Sequence, residues 1–392
     1  MIKRELNILK SNSFFLFGAR GTGKTSLLRD VLLPGSSTLY LDMLQLALRD
    51  RYDRNPDGLE AELHAAGDTI EWVLIDEVQR VPTLLDTVHR ILESEFGRST
   101  RIKFALTGSS ARKLKAGGAN LLAGRAFVYD LFPLTATEVG DALSMDDLVN
   151  WGSLPKLLGF SSHDERRSYL ETYALTYLKE EVWDEHLVRD LNPFRKFLQV
   201  ASQLSGEIVN YQRVANDVGI DNTTVQRYYQ ILEDTLLSVT LEPFHRSVRK
   251  RQRTNPKIYL FDNGVKRALD ASLRAPFPSG STDFGVLFEH FIIQECHRRN
   301  RYRKQDYSFS YLRTADGAEI DIVVERDKKV VALVEVKSSR EVLPHHIRHL
   351  KRFDSTQFDD APKYVWSMDK IAKRFDDIIA LPWQRGLEEI AL

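Results

Sequence analysis

The sequence predicts an α/β protein: a parallel-sheet, phosphate-binding domain, then a helical segment, a winged helix and a C-terminal α/β domain. Three observations predict it. Apolar segments alternate with helical stretches over the first third of the chain, and the glycine loop Gly18–Ser26 (GARGTGKTS) follows the first of them. Nearer the C-terminus, a helix precedes an alternating hairpin that carries several carboxylates.

The segments SFFLFG (13–18), STLYLD (37–42), EWVLIDE (71–77) and IKFALTGSS (102–110) are almost continuously apolar. That pattern marks strands covered by helices on both faces, as in a parallel sheet. A fifth candidate, AFVYDLFPL, begins at Ala126. From Thr135 to about Leu191 the pattern turns helical, with RRSYLETYALTYLKEEVW its clearest amphipathic piece. Residues 193–260 read as two short helices and a basic hairpin, and RAPFPSGSTD (274–283) reads as a linker. Beyond Gly285 the helical VLFEHFIIQECHRR precedes two alternating strands and a final αβ portion.

With 392 residues and about 100 to 200 residues per domain, two to four domains are expected. The 55 Lys and Arg balance the 55 Asp and Glu, so no global positive field announces nucleic acid. Contact with DNA must therefore come from local patches. One is Arg246, Arg249, Lys250, Arg251, Arg253 and Lys257; a second is Arg298, Arg299, Arg301, Arg303 and Lys304. The one cysteine, Cys296, excludes an intramolecular disulfide and reads as a core residue. The N-terminal apolar run is too short for a signal peptide, and no segment approaches the roughly 20 apolar residues of a membrane helix. A cytoplasmic protein without membrane contact is expected.

GARGTGKTS fits G-x-x-x-x-G-K-[ST] between a strand and a helix, which predicts an ATP and Mg2+ site formed by Gly18, Arg20, Gly21, Thr22, Gly23, Lys24, Thr25 and Ser26. The glycines let backbone N–H groups turn toward the phosphates at the positive end of the helix. Lys24 would reach the β and γ phosphates, and Thr25 would hold Mg2+. VLIDE sets Asp76 and Glu77 at the end of an apolar strand. There Asp76 would bind Mg2+ through water, and Glu77 would orient or deprotonate the attacking water. Ser109 or Ser110 could bond the γ-phosphate or that water, a polar turn being the alternative. Arg125 could stabilise the transferred charge in its own subunit or across an interface, a surface ion pair being the alternative.

In YQRVANDVGIDNTTVQRYYQILEDTLL (211–237), Ala215, Gly219 and Val225 have helix-turn-helix spacing. Asp221 or Asn222 would cap the second helix, with Val225, Tyr229, Leu232 and Leu236 as its buried stripe. Thr224, Arg227 and Gln230 would face outward to DNA. The next stretch reads as two strands joined by a cationic loop, a winged helix whose wing offers Arg249, Lys250, Arg251 and Arg253.

GAEIDIVVERDKKVVALVEVKSS reads as a hairpin with Glu319, Asp321 and Val323 on one face and Ile320, Ile322 and Val324 on the other. A turn centred near Lys328 sets Asp321 opposite Glu335, with Lys337 next along. Two opposed carboxylates could share a Mg2+, Lys337 could steer or deprotonate water, and Glu289 on the preceding helix could complete the set. The alternative is a solvated face with a cross-strand ion pair. His345 and His349, four apart, read as a solvated helical face and not as a zinc site.

GARGTGKTS, VLIDEVQRVP, LTGSSARKL, LAGRAFVYDLFPLTATE, GSLP, KIYLFDNGV and EIDIVVE with VEVKSS, in this order, resemble one family. It comprises prokaryotic AAA-superfamily P-loop ATPases that carry a winged helix and a C-terminal restriction-endonuclease-like domain of unknown function. The resemblance implies an ATP-dependent, homo-oligomeric, candidate ring-forming protein acting on DNA. It implies ATPase residues Lys24, Thr25, Asp76 and Glu77, a candidate arginine finger in Arg125, and a nuclease-type pattern in Glu289, Asp321, Glu335 and Lys337. The expected boundaries are 1–134 for the ATPase core, 135–192 for a helical lid, 193–273 for the winged helix and 284–392 for the endonuclease-like domain. The first expectation is a DNA-dependent ATPase that moves or remodels DNA, with branched or junction DNA as candidate substrate. The alternatives are an ATP-dependent, Mg2+-requiring nuclease and a nucleotide-controlled DNA-binding switch.

Overall fold

The computed structural model describes residues 2–34, 37–109, 122, 124–177, 191–246 and 255–392. They fall into two compact units, Leu6–Pro133 with Asp234–Leu236, and Met1–Glu5 with Leu134–Glu233 and Leu237–Leu392.

In the first unit, strands β1 (Ser13–Phe17), β2 (Thr38–Asp42), β3 (Trp72–Asp76), β4 (Lys103–Gly108) and β5 (Ala126–Asp130) form one sheet in the order β2-β3-β4-β1-β5. All four pairings are parallel. Strands β1 and β3 are buried at every position, which is why their sequences show no polar alternation. The helix Leu84–Glu93 packs Leu84, Leu85, Val88 and Ile91 into a core shared with Phe15, Phe17, Val73, Ile75, Phe104 and Leu106. The sheet therefore brings the carboxyl ends of β1, β3 and β4 to one edge, where α/β folds bind ligands.

The second unit is organised by an eight-stranded sheet. Its strands are β6 (Ser238–Pro243), β7 (Lys257–Leu260), β8 (Ser308–Arg313), β9 (Glu319–Arg326), β10 (Lys329–Lys337), β11 (Lys363–Ser367), β12 (Lys373–Phe375) and β13 (Ile378–Pro382). Their order is β12-β13-β11-β10-β9-β8-β6-β7. Two features differ from the expected hairpin. Strand β8, whose Ser308-Phe309-Ser310-Tyr311 alternation went unread, precedes the pair and runs antiparallel to β9. The two strands flanking the basic stretch also join this sheet, through the parallel contact of Glu242 and Pro243 with Ser310 and Tyr311.

Register shifts decide which side chains meet. Asp327 and Lys328 have φ of 52° and 65°, and the two-residue turn they form pairs Arg326 with Lys329. A turn centred there would set Asp321 against Val334. A bulge between Val330 and Ala332 adds one residue, so Leu333 pairs with Val323 and Val334 with Ile322. Continued by one residue, this register places Glu335 against Asp321. The opposition thus depends on the bulge, not on a turn centred at Lys328. A second shift, between Ser310 and Leu312 on the β8 side, breaks the expected alternation of β9. Ile320 and Val323 share one core cluster, and Ile322 and Val324 belong to the other.

The helix Thr282–Arg303 is buried along most of its length. Its Phe284, Leu287, Phe288, Phe291 and Ile292 pack with Ile322, Val334, Val336 and Trp366 from the sheet, and with Val139, Leu148 and Val149 from the preceding helical segment. Arg298 then ties three segments together. It donates to Leu134 O at 2.9 Å, Ser153 Oγ at 2.9 Å and Phe261 O at 2.7 Å. Arg299 likewise bonds Glu295 at 3.1 Å and Thr137 at 2.8 Å. Arg298 and Arg299 of the second expected basic patch are therefore internal, whereas Arg301, Arg303 and Lys304 are exposed. His345 and His349 lie in and after a short turn, Pro344–Ile347, and not on a continuous helix.

Candidate functional site

The phosphate loop begins where β1 ends. A Cβ on Gly18 would meet Leu131 O at 2.3 Å, so only glycine lets the loop leave the strand there. Gly21 and Gly23 have φ of 80° and 96°, the left-handed region that favours glycine. Thr22 is buried and donates through Oγ1 to Ala19 O at 2.8 Å, closing the loop on itself. The helix Lys24–Leu32 starts directly after Gly23 and aims its first N–H groups at the loop. Lys24 Nζ lies over the loop, 2.7 Å from Gly18 O. Arg20 and Ser26 are exposed.

Asp76, buried at the end of β3, accepts from three hydroxyls. Thr25 Oγ1 donates to Oδ2 at 2.7 Å and Tyr40 OH to the same oxygen at 3.2 Å, while Thr107 Oγ1 donates to Oδ1. Three donors hold the carboxylate in one rotamer beside the threonine expected to share its Mg2+. Tyr40, on β2, is held in turn by Arg29, whose guanidinium lies 5.0 Å from the ring centroid and donates to the hydroxyl at 3.3 Å. Partial burial raises the phenol above its ordinary range, against the pull of Arg29.

Glu77 adopts φ 58°, a strained backbone for a non-glycine residue. Its N–H donates to Thr107 Oγ1 at 3.0 Å, and its Oε1 lies 4.0 Å from Lys24 Nζ. Gln79 donates through Nε2 to Glu77 Oε2 at 2.5 Å, and the same nitrogen lies 3.5 Å from Ser109 Oγ. Gln79 is buried and its Oε1 has no hydrogen-bond partner among the described residues. Gly108 makes room for it, since a Cβ there would meet that oxygen at 2.8 Å. Tyr40 and Gln79 are the residues that reading the sequence missed. The glutamine stands two positions after Glu77 in DEVQ, a spacing that offered the only signal. Arg125 is 43% exposed and forms an ion pair with Glu93 of the same unit. Ser110 lies outside the described residues.

In the second unit, the helix Tyr211–Val218 ends at Gly219, whose φ is 83°, and the helix Asn222–Asp234 follows. Asp221 caps it, accepting from Thr224 N at 2.8 Å and from Thr224 Oγ1 at 2.6 Å. The Thr224 hydroxyl, expected to face outward, is thereby spent on the cap. Val225, Tyr228, Tyr229, Ile231 and Leu232 are the buried face, and Leu236 lies beyond the helix end with φ 59°. Arg227 and Gln230 are exposed. Arg249, Lys250, Arg251 and Arg253 lie outside the described residues. Of the other two cations in that stretch, Arg246 pairs with Asp359 at 3.1 Å and Lys257 is only 5% exposed. Arg246 remains exposed, whereas Lys257 is not the solvent-facing cation the sequence suggested.

The carboxylate cluster gathers on β9, β10 and the helix Thr282–Arg303. Asp321 Oδ2 accepts from Val336 N at 2.7 Å, which locks the two strands where the bulge has aligned them. Glu335 Oε1 lies 2.5 Å from Lys337 Nζ, and Glu335 Oε2 is buried without a hydrogen-bond partner among the described residues. Burial, reinforced by Asp321, pushes the Glu335 carboxyl up to about 8. Burial and Asp321 likewise raise Glu289. Burial opposes the charge on Lys337, but Asp321 and Glu335 outweigh it and raise the ammonium. No group of three His, Cys, Asp or Glu is arranged to hold a metal ion among the described residues. The unpartnered Glu335 oxygen fits a hard cation, whereas the set as a whole is not gathered around one. The expected sharing of one Mg2+ by Glu289, Asp321 and Glu335 is therefore not preformed.

Residues 10–140 match the family described as an AAA domain. Residues 143–276 and 284–385 match two domains of unknown function, DUF8612 and DUF4143. An uncharacterized protein of Mycobacterium tuberculosis is 26% identical over 254 residues, or 64% of this chain, and the match spans 56% of that protein's length. An uncharacterized Haemophilus influenzae protein is 24% identical, covering 80% of each chain. Among solved structures, Thermotoga maritima RuvB overlaps with a TM-score of 0.31 at 16% identity, covering 58% of this chain and 81% of that one. The Aeropyrum pernix ORC1 protein in complex with DNA overlaps with a TM-score of 0.27 at 13% identity, covering 67% and 86%. Overlaps this low do not establish a shared overall fold. No described helix is long and apolar enough to cross a membrane.

Proposed function

We propose that this chain is a DNA-dependent ATPase that couples ATP hydrolysis to moving or remodelling DNA, with branched or junction DNA as candidate substrate. The observation that carries the reading is the assembly at the carboxyl ends of β1, β3 and β4. There Thr25 meets Asp76 at 2.7 Å and Glu77 stands 4.0 Å from Lys24. The glycine loop and Lys24 would hold the phosphates, with phosphate oxygens replacing Gly18 O as the lysine's partner. Thr25 and Asp76 would hold Mg2+, which neutralises developing phosphate charge, and Glu77 would orient or deprotonate the water. Ser109 would monitor that water through Gln79. Arg125, released from Glu93, would serve a neighbouring subunit of a homo-oligomer.

DNA contact is supported by the two helices around Gly219, with Arg227 exposed, and by the unopposed Arg249, Lys250, Arg251 and Arg253 in the sequence that follows. This is the winged-helix reading. The boundaries 1–134, 135–192, 193–273 and 284–392 remain the proposed division, the last for an endonuclease-like domain. A second reading, an ATP-dependent nuclease, is favoured by one observation: Asp321, Glu335 and Lys337 share one corner, with a Glu335 oxygen that has no hydrogen-bond partner among the described residues.

The test incubates full-length protein, ATP and Mg2+ with linear, forked and four-way DNA while phosphate release, strand displacement and cleavage are followed. ATPase activity stimulated by DNA and abolished by Glu77→Gln is expected. Hydrolysis indifferent to every DNA would overturn the motor reading in favour of a nucleotide-controlled switch. Cleavage lost in Glu335→Ala would make the nuclease the principal activity.

A further inference from the structure

We infer that a hollow in the second unit is a binding site for a small amphipathic anion, an apolar body ending in one carboxylate, as in a medium-chain acyl carboxylate. The residues that line it all lie within 143–276, which match a domain of unknown function, and the inference stands apart from the ATPase reading.

The hollow has a volume of about 300 Å³, at the small end of ligand pockets. Three stretches of chain build it. The helix His163–Thr172 and the turn Tyr173–Tyr177 that continues it supply Arg167, Glu171, Ala174 and Leu175. The helix Leu191–Gln203 supplies Arg195 and Leu198, and the chain after the helix Asn263–Leu269 supplies Leu273 and Arg274. Spacings of three and four put Arg167, Glu171 and Ala174 on one helical face, and Arg195 and Leu198 on another.

The floor is apolar and the rim is cationic. Ala174, Leu198 and Leu273 are buried beneath the hollow, whereas Leu175 stands at its mouth 57% exposed. Of the charged groups in the lining, Arg167 donates to Glu171 Oε1 at 2.7 Å, so these two offset each other. Arg195 and Arg274 are exposed, and neither has a carboxylate partner among the described residues. Two guanidiniums are thus left over beside an apolar floor. Their planar forks match a carboxylate, and the floor accepts an alkyl chain that would also cover Leu175. A bare phosphate would gain the arginines but leave the floor unused, and a neutral apolar molecule would leave the arginines without a counter-ion.

The test is calorimetric titration of the full chain, without nucleotide or DNA, with hexanoate, octanoate and decanoate, and with octanol and inorganic phosphate for comparison. One equivalent of octanoate should bind, and affinity should rise about fourfold for each methylene added along the series. Octanol should bind at least tenfold more weakly, and phosphate should not displace octanoate. The double variant Arg195→Gln, Arg274→Gln should weaken octanoate at least tenfold and leave octanol unchanged, a split that a merely structural role would not produce. Leu175→Glu sets a like charge at the exposed mouth and should weaken octanoate at least tenfold while the thermal melt stays unchanged. The inference is overturned if octanoate does not bind, if octanol binds as tightly, if phosphate displaces octanoate, or if the arginine variant binds octanoate like the wild type. Binding of an acidic amphipathic peptide in place of octanoate, dependent on both arginines, would also overturn it and assign the hollow to a protein partner.

Discussion

Gln79 holds the Glu77 carboxylate, its Nε2 lying 2.5 Å from Glu77 Oε2 and 3.5 Å from Ser109 Oγ. A residue two positions past the expected base thereby fixes where that base points. Removing the amide leaves Glu77 on a strained backbone, at φ 58°, with the 4.0 Å contact to Lys24 as the carboxylate's remaining partner among the described residues. Gln79→Ala should lower the kcat for ATP hydrolysis about tenfold to a hundredfold, the cost of a misplaced catalytic group, while the KM for ATP changes little. Steady-state kinetics with and without DNA measure this split, and an unchanged kcat would refute the positioning role.

Tyr40 supports Asp76 from the neighbouring strand, donating to Oδ2 at 3.2 Å beside the 2.7 Å bond from Thr25. Such outer partners orient a metal-binding carboxylate, and losing one costs about tenfold to a hundredfold in metal affinity. Tyr40→Phe should raise the Mg2+ concentration needed for half-maximal ATP hydrolysis by about that factor, with kcat restored at saturating Mg2+. A reduced kcat that excess Mg2+ does not restore would argue against this role.

What the sequence disclosed followed from contacts that are local or periodic. Strands β1, β3 and β4 were legible because burial on both faces leaves continuous apolar runs, and the glycine loop because its spacing is itself the geometry. Contacts across the sheet were not legible. Tyr40 and Asp76 lie 36 positions apart, and nothing in TLYLD marks its tyrosine as a partner. The opposition of Asp321 and Glu335 was reached through an assumed turn, whereas a bulge near Val331 supplies the extra residue. Lys257 was counted as a solvent cation because a sequence displays charges but not the acids they meet in space. Its Glu289 and Glu319 partners lie on other elements of the fold.

Arg298 joins the segment at Leu134 and Ser153 to Phe261 while standing on the helix Thr282–Arg303. It is 2% exposed, so replacing it strands several carbonyl and hydroxyl acceptors in the interior and leaves Glu295 one buried cation short. Arg298→Met should destabilise the second unit by about 3 to 5 kcal/mol, the cost of breaking a buried charged network from one side. Urea unfolding followed by tryptophan fluorescence measures the change, which should leave ATP binding by the first unit, as proposed, in place below the transition.

Asp369 fastens the chain that leaves β10 after Lys337. Its Oδ2 accepts from Val342 N at 3.0 Å and from Lys373 Nζ at 2.8 Å, and its Oδ1 accepts from Ile371 N at 3.0 Å. Burial would raise this carboxyl, but Lys373 and the two backbone donors prevail and hold it down at about 2, below the ordinary 3.8. The folded state thus favours the ionised form. The stabilisation is complete above the ordinary value, declines as pH falls from about 4, and is gone below about 2. Asp369→Asn should therefore cost about 1 to 3 kcal/mol near neutral pH, because a charged acceptor of several bonds is lost. Thermal melts of both proteins across the acid range should show a constant gap between pH 7 and about 5 that closes toward pH 2. A gap independent of pH would mean that the substitution acts through packing and not through the ionised carboxylate.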